Sequence, residues 1–204
     1  MKIYDYRRSS AAYRLRIALN LKGLKAEREQ VDLLESEQRA PEYRAVNPQG
    51  LVPALVADQG VLTQSLAVIE YLDELDGRRP LLPADPWARA QQRSMALLVA
   101  CDMHPLNNLR VLNYLRGELG QDESAVRSWI GHWISEGFAA LEARAPATPF
   151  LGGERPMLAD VVLVPQMYNA RRYDVPLDSY PKLVAIAANC NELDEFARAA
   201  PEVQ

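Results

Sequence analysis

The chain is poor in the residues that build covalent or metal frameworks. Its 204 residues include two cysteines, Cys101 and Cys190, and two histidines, His104 and His132. Neither pair has ligand spacing and no CxxC occurs. A disulfide framework, a metal site and a dithiol redox motif are therefore not expected. Both cysteines are expected to be packing residues. No apolar run approaches the ~20 residues of a membrane span. The opening residues Met1–Asp5 lack the apolar stretch of a signal peptide, so the expected location is the cytoplasm. Basic residues are not in excess: 23 Lys and Arg stand against 27 Asp and Glu, a net charge of −4. That balance disfavours a nucleic-acid surface as the main function.

What is present is a chain 49% hydrophobic and 25% charged, enough for one large or two small domains with real cores. Residues 2–6 read as a strand. Residues 11–22 carry Ala12, Leu15, Ile17, Ala18, Leu19 and Leu21 at helical spacing and stop at Gly23. A second strand is expected over Glu27–Leu33 and a short helix over Ala40–Val46. Leu51–Val56 reads as a strand entered through Pro53, whose peptide bond could be cis. Asp58-Gln59-Gly60 reads as a hairpin turn, Val61–Thr63 as the returning strand, and Gln64-Ser65 as the cap of a further helix. The order β-α-β-α-β-β-α suits a small mixed sheet with helices packed on it. Prolines at 80, 83 and 86 then mark a linker. Beyond it the pattern becomes helical: 87–117, bent near Pro105, then 123–145, 158–170, 181–189 and 191–199. Trp129, Trp133, Met95 and Met103 fall at core or interface spacing. The charged run from Asp73 to Arg79 reads as a solvated helix end.

The paired serines Ser9 and Ser10 sit where the first strand ends and the first helix begins. Helix-start N–H groups are unpaired and carry partial positive charge, so they favour an anion. A hydroxyl there either caps the helix or holds a thiolate. The local sequence leaves both open.

Several motifs, in order, make the chain resemble glutathione transferases over nearly its whole length. SSAAYRLRIAL at 9–19 resembles the SSCxWRVRIAL signature of the zeta class, which includes maleylacetoacetate isomerases. NPQGLVPAL at 47–55 resembles the glutathione-site loop with its cis-proline, and TQSLAVIEYLDE at 63–74 the helix that binds the glutamyl end of glutathione. CDMHPLNNLRVLNYLRGELG at 101–120 resembles the active-site helix of bacterial maleylacetoacetate and maleylpyruvate isomerases. LADVVLVPQMYNARRYDVPL at 158–177 resembles their late helical segment. There are departures. The family cysteine is Ala11 here and the tryptophan is Tyr13. Met157 stands where a capping hydroxyl is usual. Leu109 stands where maleylpyruvate isomerases tend to carry arginine.

The resemblance implies an α/β N-terminal thioredoxin-like domain (1–82), a linker (83–86) and an all-α C-terminal domain (87–204). It implies a glutathione-dependent cis–trans isomerase converting 4-maleylacetoacetate to 4-fumarylacetoacetate in tyrosine and phenylalanine breakdown. The alternatives are maleylpyruvate isomerisation, a transferase or dehalogenase acting on small α-halo acids, and a non-catalytic binding module. Glutathione is the implied cofactor, a small dicarboxylate the implied substrate, and a homodimer the implied assembly; no metal, nucleic acid or membrane is implied. Ser9 becomes the expected thiolate donor, with Ser10 beside it. Arg14, Gln38, Val52, Pro53, Gln64, Ser65, His104, Asn108 and Arg110 are the remaining expected glutathione contacts. Arg8, His104, Asn108 and Arg172 are expected to meet the substrate. His104 and Asn108, four apart, are expected to share a helix face. Arg16 is expected to be structural. With Ala11 in place of cysteine, the reacting sulfur has to come from glutathione.

Overall fold

Ile3 and Asp5 are buried while Lys2 and Tyr4 are only half-covered, the period-2 alternation of a strand covered mainly on one face. This strand, β1 (Lys2–Asp5), is central in a sheet of four whose order is β2 (Glu27–Gln30), β1, β3 (Ala54–Ala57), β4 (Gly60–Thr63). A computed structural model describes all residues, 1–204. β1 pairs parallel with β2 and antiparallel with β3, and β3 pairs antiparallel with β4. The register sets Tyr4 beside Ala54 and Ala54 beside Thr63. The end of β1, the start of β3 and the end of β4 therefore lie at one end of the sheet.

The chain divides into two units, Met1–Leu81 with Leu193–Gln204, and Leu82–Glu192. In the first, α1 (Ser10–Lys22) and α3 (Ser65–Leu75) pack together, with Leu15, Ile17, Ile69 and Leu72 fully buried. Gly23, at φ +64°, ends α1, its N–H returning to Leu19 and Asn20 carbonyls. A smaller core forms from Val31, Tyr43 and Val52, with Tyr4, Tyr6, Leu33 and Val46 against it. It seats α2 (Pro41–Val46) and the following loop. β2 therefore ends at Gln30 rather than at the expected Leu33: Val31 and Leu33 belong to this cluster instead.

Residues 193–204, which the sequence reading assigns to the helical region, pack with the first unit. They hold α9 (Asp194–Ala197), shorter than the expected 191–199. Arg16 Nε donates to Ala199 O at 2.9 Å and Asn20 Nδ2 to Glu195 O at 2.8 Å. The charged end of α3 is less solvated than expected. Buried Lys22 donates to Asp73 Oδ1 at 2.9 Å and to Arg78 O at 2.6 Å.

The second unit is helical: α4 (Pro86–Leu97), α5 (Leu109–Gly117), α6 (Glu123–Arg144), α7 (Leu158–Arg172) and α8 (Pro181–Asn191). α7 is buried nearly all round, as a central helix must be. The expected continuous helix 87–117 is instead broken well before Pro105: a π turn runs Leu98–Met103 and a 3₁₀ turn His104–Asn107. Met103 lies fully buried where a side chain on Gly137 would go; a Cβ there would fall 2.2 Å from Met103 Cγ. Met95 is buried as expected, and Trp129 Nε1 donates to Leu106 O at 2.8 Å. The cysteines divide: Cys190 is buried, but Cys101 is exposed and not a packing residue.

Asp160 supplies the start of α7. The hydroxyl half of a capping box is absent at Met157, yet the Asp160 carboxylate accepts Met157 N–H at 2.9 Å, Leu151 N–H at 2.7 Å and Gly152 N–H at 2.9 Å. Burial pushes its pKa up to about 6 against the pull of those donors, and burial with the adjacent Asp160 charge pushes the Cys190 thiol up as well. Asp160→Ala leaves three N–H groups without an acceptor. It is expected to cost about 3 kcal/mol or more in urea unfolding, where an exposed Asp178→Ala costs almost nothing.

Candidate functional site

Ser9 is the N-cap of α1. Its Oγ accepts Ala12 N–H at 3.2 Å, and its own N–H donates to Tyr6 O at 2.9 Å. A serine hydroxyl that accepts one bond still has its proton to donate. The two readings of this residue are therefore compatible: Ser9 caps the helix and retains a donor. Ser10 is buried as the first residue of α1, and Arg8 is exposed just before them.

Across the same end of the sheet, the Val52–Pro53 peptide is cis. Neither the N–H nor the C=O of Val52 has a hydrogen-bond partner within the chain, because β3 does not begin until Ala54. A short length of strand edge is thus left open there. The preceding carbonyl, Leu51 O, is held twice, by Tyr43 Oη at 2.5 Å and Asn47 Nδ2 at 2.7 Å. Burial pushes the Tyr43 phenol up to about 12, so it stays a donor at neutral pH. Gly50 turns the loop at φ +62°, its Cα side 2.6 Å (at an added Cβ) from Gln38 O. Gln38 Nε2 donates to Leu33 O at 3.4 Å while its Oε1 is buried without a partner.

The third component is the start of α3. Gln64 occupies the cap position at φ +69°, a strained conformation for a residue with a Cβ, and makes no side-chain cap bond. The expected Gln64-Ser65 cap is not formed. Gln64 Nε2 instead donates to Gln49 Oε1 at 3.1 Å. Ser65 is the first helical residue, buried, and its Oγ accepts from Arg14 Nη1 at 3.4 Å. Arg14 is itself buried, so a guanidinium charge stands beside the N-terminus of α3, where anions are already favoured. Ser9, Ser10, Arg14, Gln38, Val52, Pro53, Gln64 and Ser65 thus all lie in the first unit.

His104, Asn108, Arg110 and Arg172 lie in the second unit. His104 opens the 3₁₀ turn, and Asn108 is the extended N-cap of α5, accepting Arg110 N–H at 3.1 Å. The expectation that His104 and Asn108 share an α-helical face fails, since the chain is not α-helical between them. Arg110 is exposed. Arg172 ends α7, its guanidinium over the Tyr173 ring at 5.2 Å.

Two sets of residues around the first-unit site have only faint signals in the sequence. Tyr43 and Asn47 aim the loop before Pro53, and only the NPQG motif hints at it. Beneath Arg7–Ser9, the buried Asp5 carboxylate receives Arg16 Nη1 at 2.7 Å and Arg28 Nη2 at 2.6 Å, while Arg16 Nη2 donates to Arg7 O at 2.8 Å.

A family model described as "Glutathione S-transferase, N-terminal domain" matches residues 8–75, and one described as "Glutathione S-transferase, C-terminal domain" matches 134–188. The chain is similar to a maleylpyruvate isomerase of a Ralstonia species, 49% identical over 100% of this chain and 98% of that one. It is likewise similar to a maleylacetoacetate isomerase of Pseudomonas aeruginosa, 48% identical over 100% of this chain and 97% of the relative. Among solved structures, a maleylacetoacetate isomerase of Methylobacterium extorquens with bound malonate and glutathione superposes at a TM-score of 0.96. It is 39% identical and covers 100% of this chain and 98% of that one. The thioredoxin-like and all-helical combination expected from sequence is the fold found.

Gly50→Ala is expected to destabilise the first unit by about 1–3 kcal/mol and to shift the amide resonances of Gln38 and Val52. Gly23→Ala is the control: its φ is +64° but nothing lies within 4 Å of its Cβ, so resonances near Val52 should stay unmoved.

Proposed function

The chain belongs to the glutathione S-transferase family, and on that premise we propose that it is a glutathione-dependent cis–trans isomerase of a maleyl diacid, 4-maleylacetoacetate first. The observation that carries this is the open Val52 edge beside the Ser9 cap, in a chain about half identical to named isomerases of this kind. Residues 1–82 act as the glutathione-binding domain, with 193–204 packed on it, and the helical region 87–192 as the substrate-binding one.

The residues present fit glutathione. A peptide lying along Val52 would pair its own backbone with the free N–H and C=O there. The glutamyl carboxylate would be held at Gln64-Ser65, with the Arg14 charge behind Ser65, and Gln38 Oε1 is an open acceptor. When bound, glutathione supplies a thiolate that adds reversibly to the conjugated double bond, leaving a single bond free to rotate before the sulfur departs.

This chain's residues make that sulfur available and hold the diacid. The Ser9 hydroxyl donates its remaining proton to the thiolate, and the unpaired N–H groups of the first turn of α1 add positive potential, so ionisation near neutral pH is favoured. Ser10 is the neighbouring hydroxyl. Ala11 carries no thiol, so the chain has no cysteine at this helix start to compete as nucleophile. Arg8 and Arg172 are assigned to the substrate carboxylates, as guanidinium forks suit them. His104, Asn108 and Arg110 are assigned to the glutathione and substrate side of the second unit. Its place in tyrosine and phenylalanine breakdown, a cytoplasmic location and a homodimeric state belong to the same reading.

A second reading, maleylpyruvate as substrate, is favoured by the 49% identity to a maleylpyruvate isomerase and opposed by Leu109. Turnover of both diacids and of a chloroacetate by purified protein, with and without glutathione, decides the substrate. Isomerisation that needs no glutathione would overturn the mechanism. Ser9→Ala is expected to lower kcat by roughly 10²–10³-fold and to raise the pKa of the bound thiol. Loss of the cap alone would cost only about 1 kcal/mol of stability.

A further inference from the structure

A second concave region exists in the first unit, away from Ser9. It is a cavity of about 270 Å³ behind the C-terminal half of α1. Its walls include Arg16 and Asn20 from α1, Lys25 from the connection to β2, Arg28 from β2, and Arg198 and Gln204 from the C-terminal segment. The register pairs Lys2 with Glu27, so Lys25 lies near the start of β1, the end of the sheet opposite Ser9.

Four cations in these walls stand out in a chain whose net charge is −4. Their compensation is incomplete. Asp5 neutralises one charge, with both oxygens already taken by Arg16 and Arg28. Gln204 contributes only its neutral side-chain amide, whose oxygen accepts from Arg28 and whose nitrogen donates to the Arg198 and Ala200 carbonyls. Strand alternation points Glu27 and Glu29 away from Arg28, and Glu29 is bound to Lys2. No Asp or Glu is among the residues that line the cavity.

The donors differ in what they can do. Arg16 is buried and fully engaged with Asp5, Arg7 O and Ala199 O, so it contributes field from a poorly solvated floor. Lys25 has no hydrogen bond or ion pair. Arg198 uses only Nε, on Asp194 O at 3.3 Å, so both its outer nitrogens are available. An ammonium and a guanidinium fork on the rim of a positive cavity suit a tetrahedral, multiply charged oxyanion better than a single carboxylate. The volume equals that of about nine waters at ~30 Å³ each, room for a phosphate or diphosphate group.

We propose that this cavity is a binding site for a phosphate-type anion, held by Lys25 and Arg198 over a floor charged by Arg16 and Arg28. Calorimetric titration of the full chain with pyrophosphate and with inorganic phosphate, at low ionic strength, tests it. The expected result is one site per chain, weakened by added NaCl, with pyrophosphate the tighter ligand. Binding should be unchanged when S-methylglutathione is present, which separates the cavity from the glutathione region. The Lys25→Glu/Arg198→Glu double variant should lose at least tenfold in affinity while keeping its glutathione affinity. The Lys25→Gln/Arg198→Gln variant should lose several-fold, which covers the case in which charge reversal disturbs folding. No binding by the wild-type chain, equal binding by the neutral variant, or full displacement by S-methylglutathione would each overturn the proposal.

Discussion

Asp5 is a carboxylate at the end of the central strand with no exposure to solvent, and the first unit is organised around neutralising it. A buried charge is tolerated only when paired and hydrogen-bonded. Arg16 and Arg28 do the pairing, and the requirement brings a side chain from α1 and one from the neighbouring strand β2 to the same carboxylate of β1. Arg16 has donors to spare, and they reach Arg7 O on one side and Ala199 O on the other. One guanidinium thus fixes the strand, the turn that delivers Ser9, and the returning C-terminal segment. Burial lowers the Arg16 pKa and the Asp5 charge opposes that. Removing either partner would strand a charge under the turn that sets the Ser9 hydroxyl.

Local pattern carried most of the first unit. Alternation in Lys2–Asp5, the apolar face and Gly23 stop of α1, and the Asp58–Gly60 turn are short-range features, and each is found where the sequence places it. What failed depended on distant partners. β2 stops early because a second core recruits Val31 and Leu33. The helix changes at Leu98 into a π turn whose last residue, Met103, packs over Gly137, far away in sequence, whereas proline chemistry alone points to a bend at Pro105. That break is also why His104 and Asn108 cannot be placed by counting helical turns.

The candidate site shows the same division. Ser9, Val52–Pro53 and Ser65 are legible because each sits beside a local punctuation mark, a helix start or a proline. Their meeting at one end of the sheet follows from the register of β1, β3 and β4, which no single segment encodes. The Arg14–Ser65 contact and the double hold on Leu51 O were illegible for the same reason. Gln64 is instructive in a different way. Sequence rules make it an ordinary helix entrance, but it holds a strained backbone and turns its amide to Gln49.

The return of residues 193–204 to the first unit has a consequence for biosynthesis. A ribosome emits the sheet and its helices early, yet Arg16, Asn20 and Arg28 find their last partners only after the entire helical region has been translated. Until then the nascent first unit holds a buried-arginine network with one wall missing. The portion made early is therefore closed only when a segment made much later packs against it.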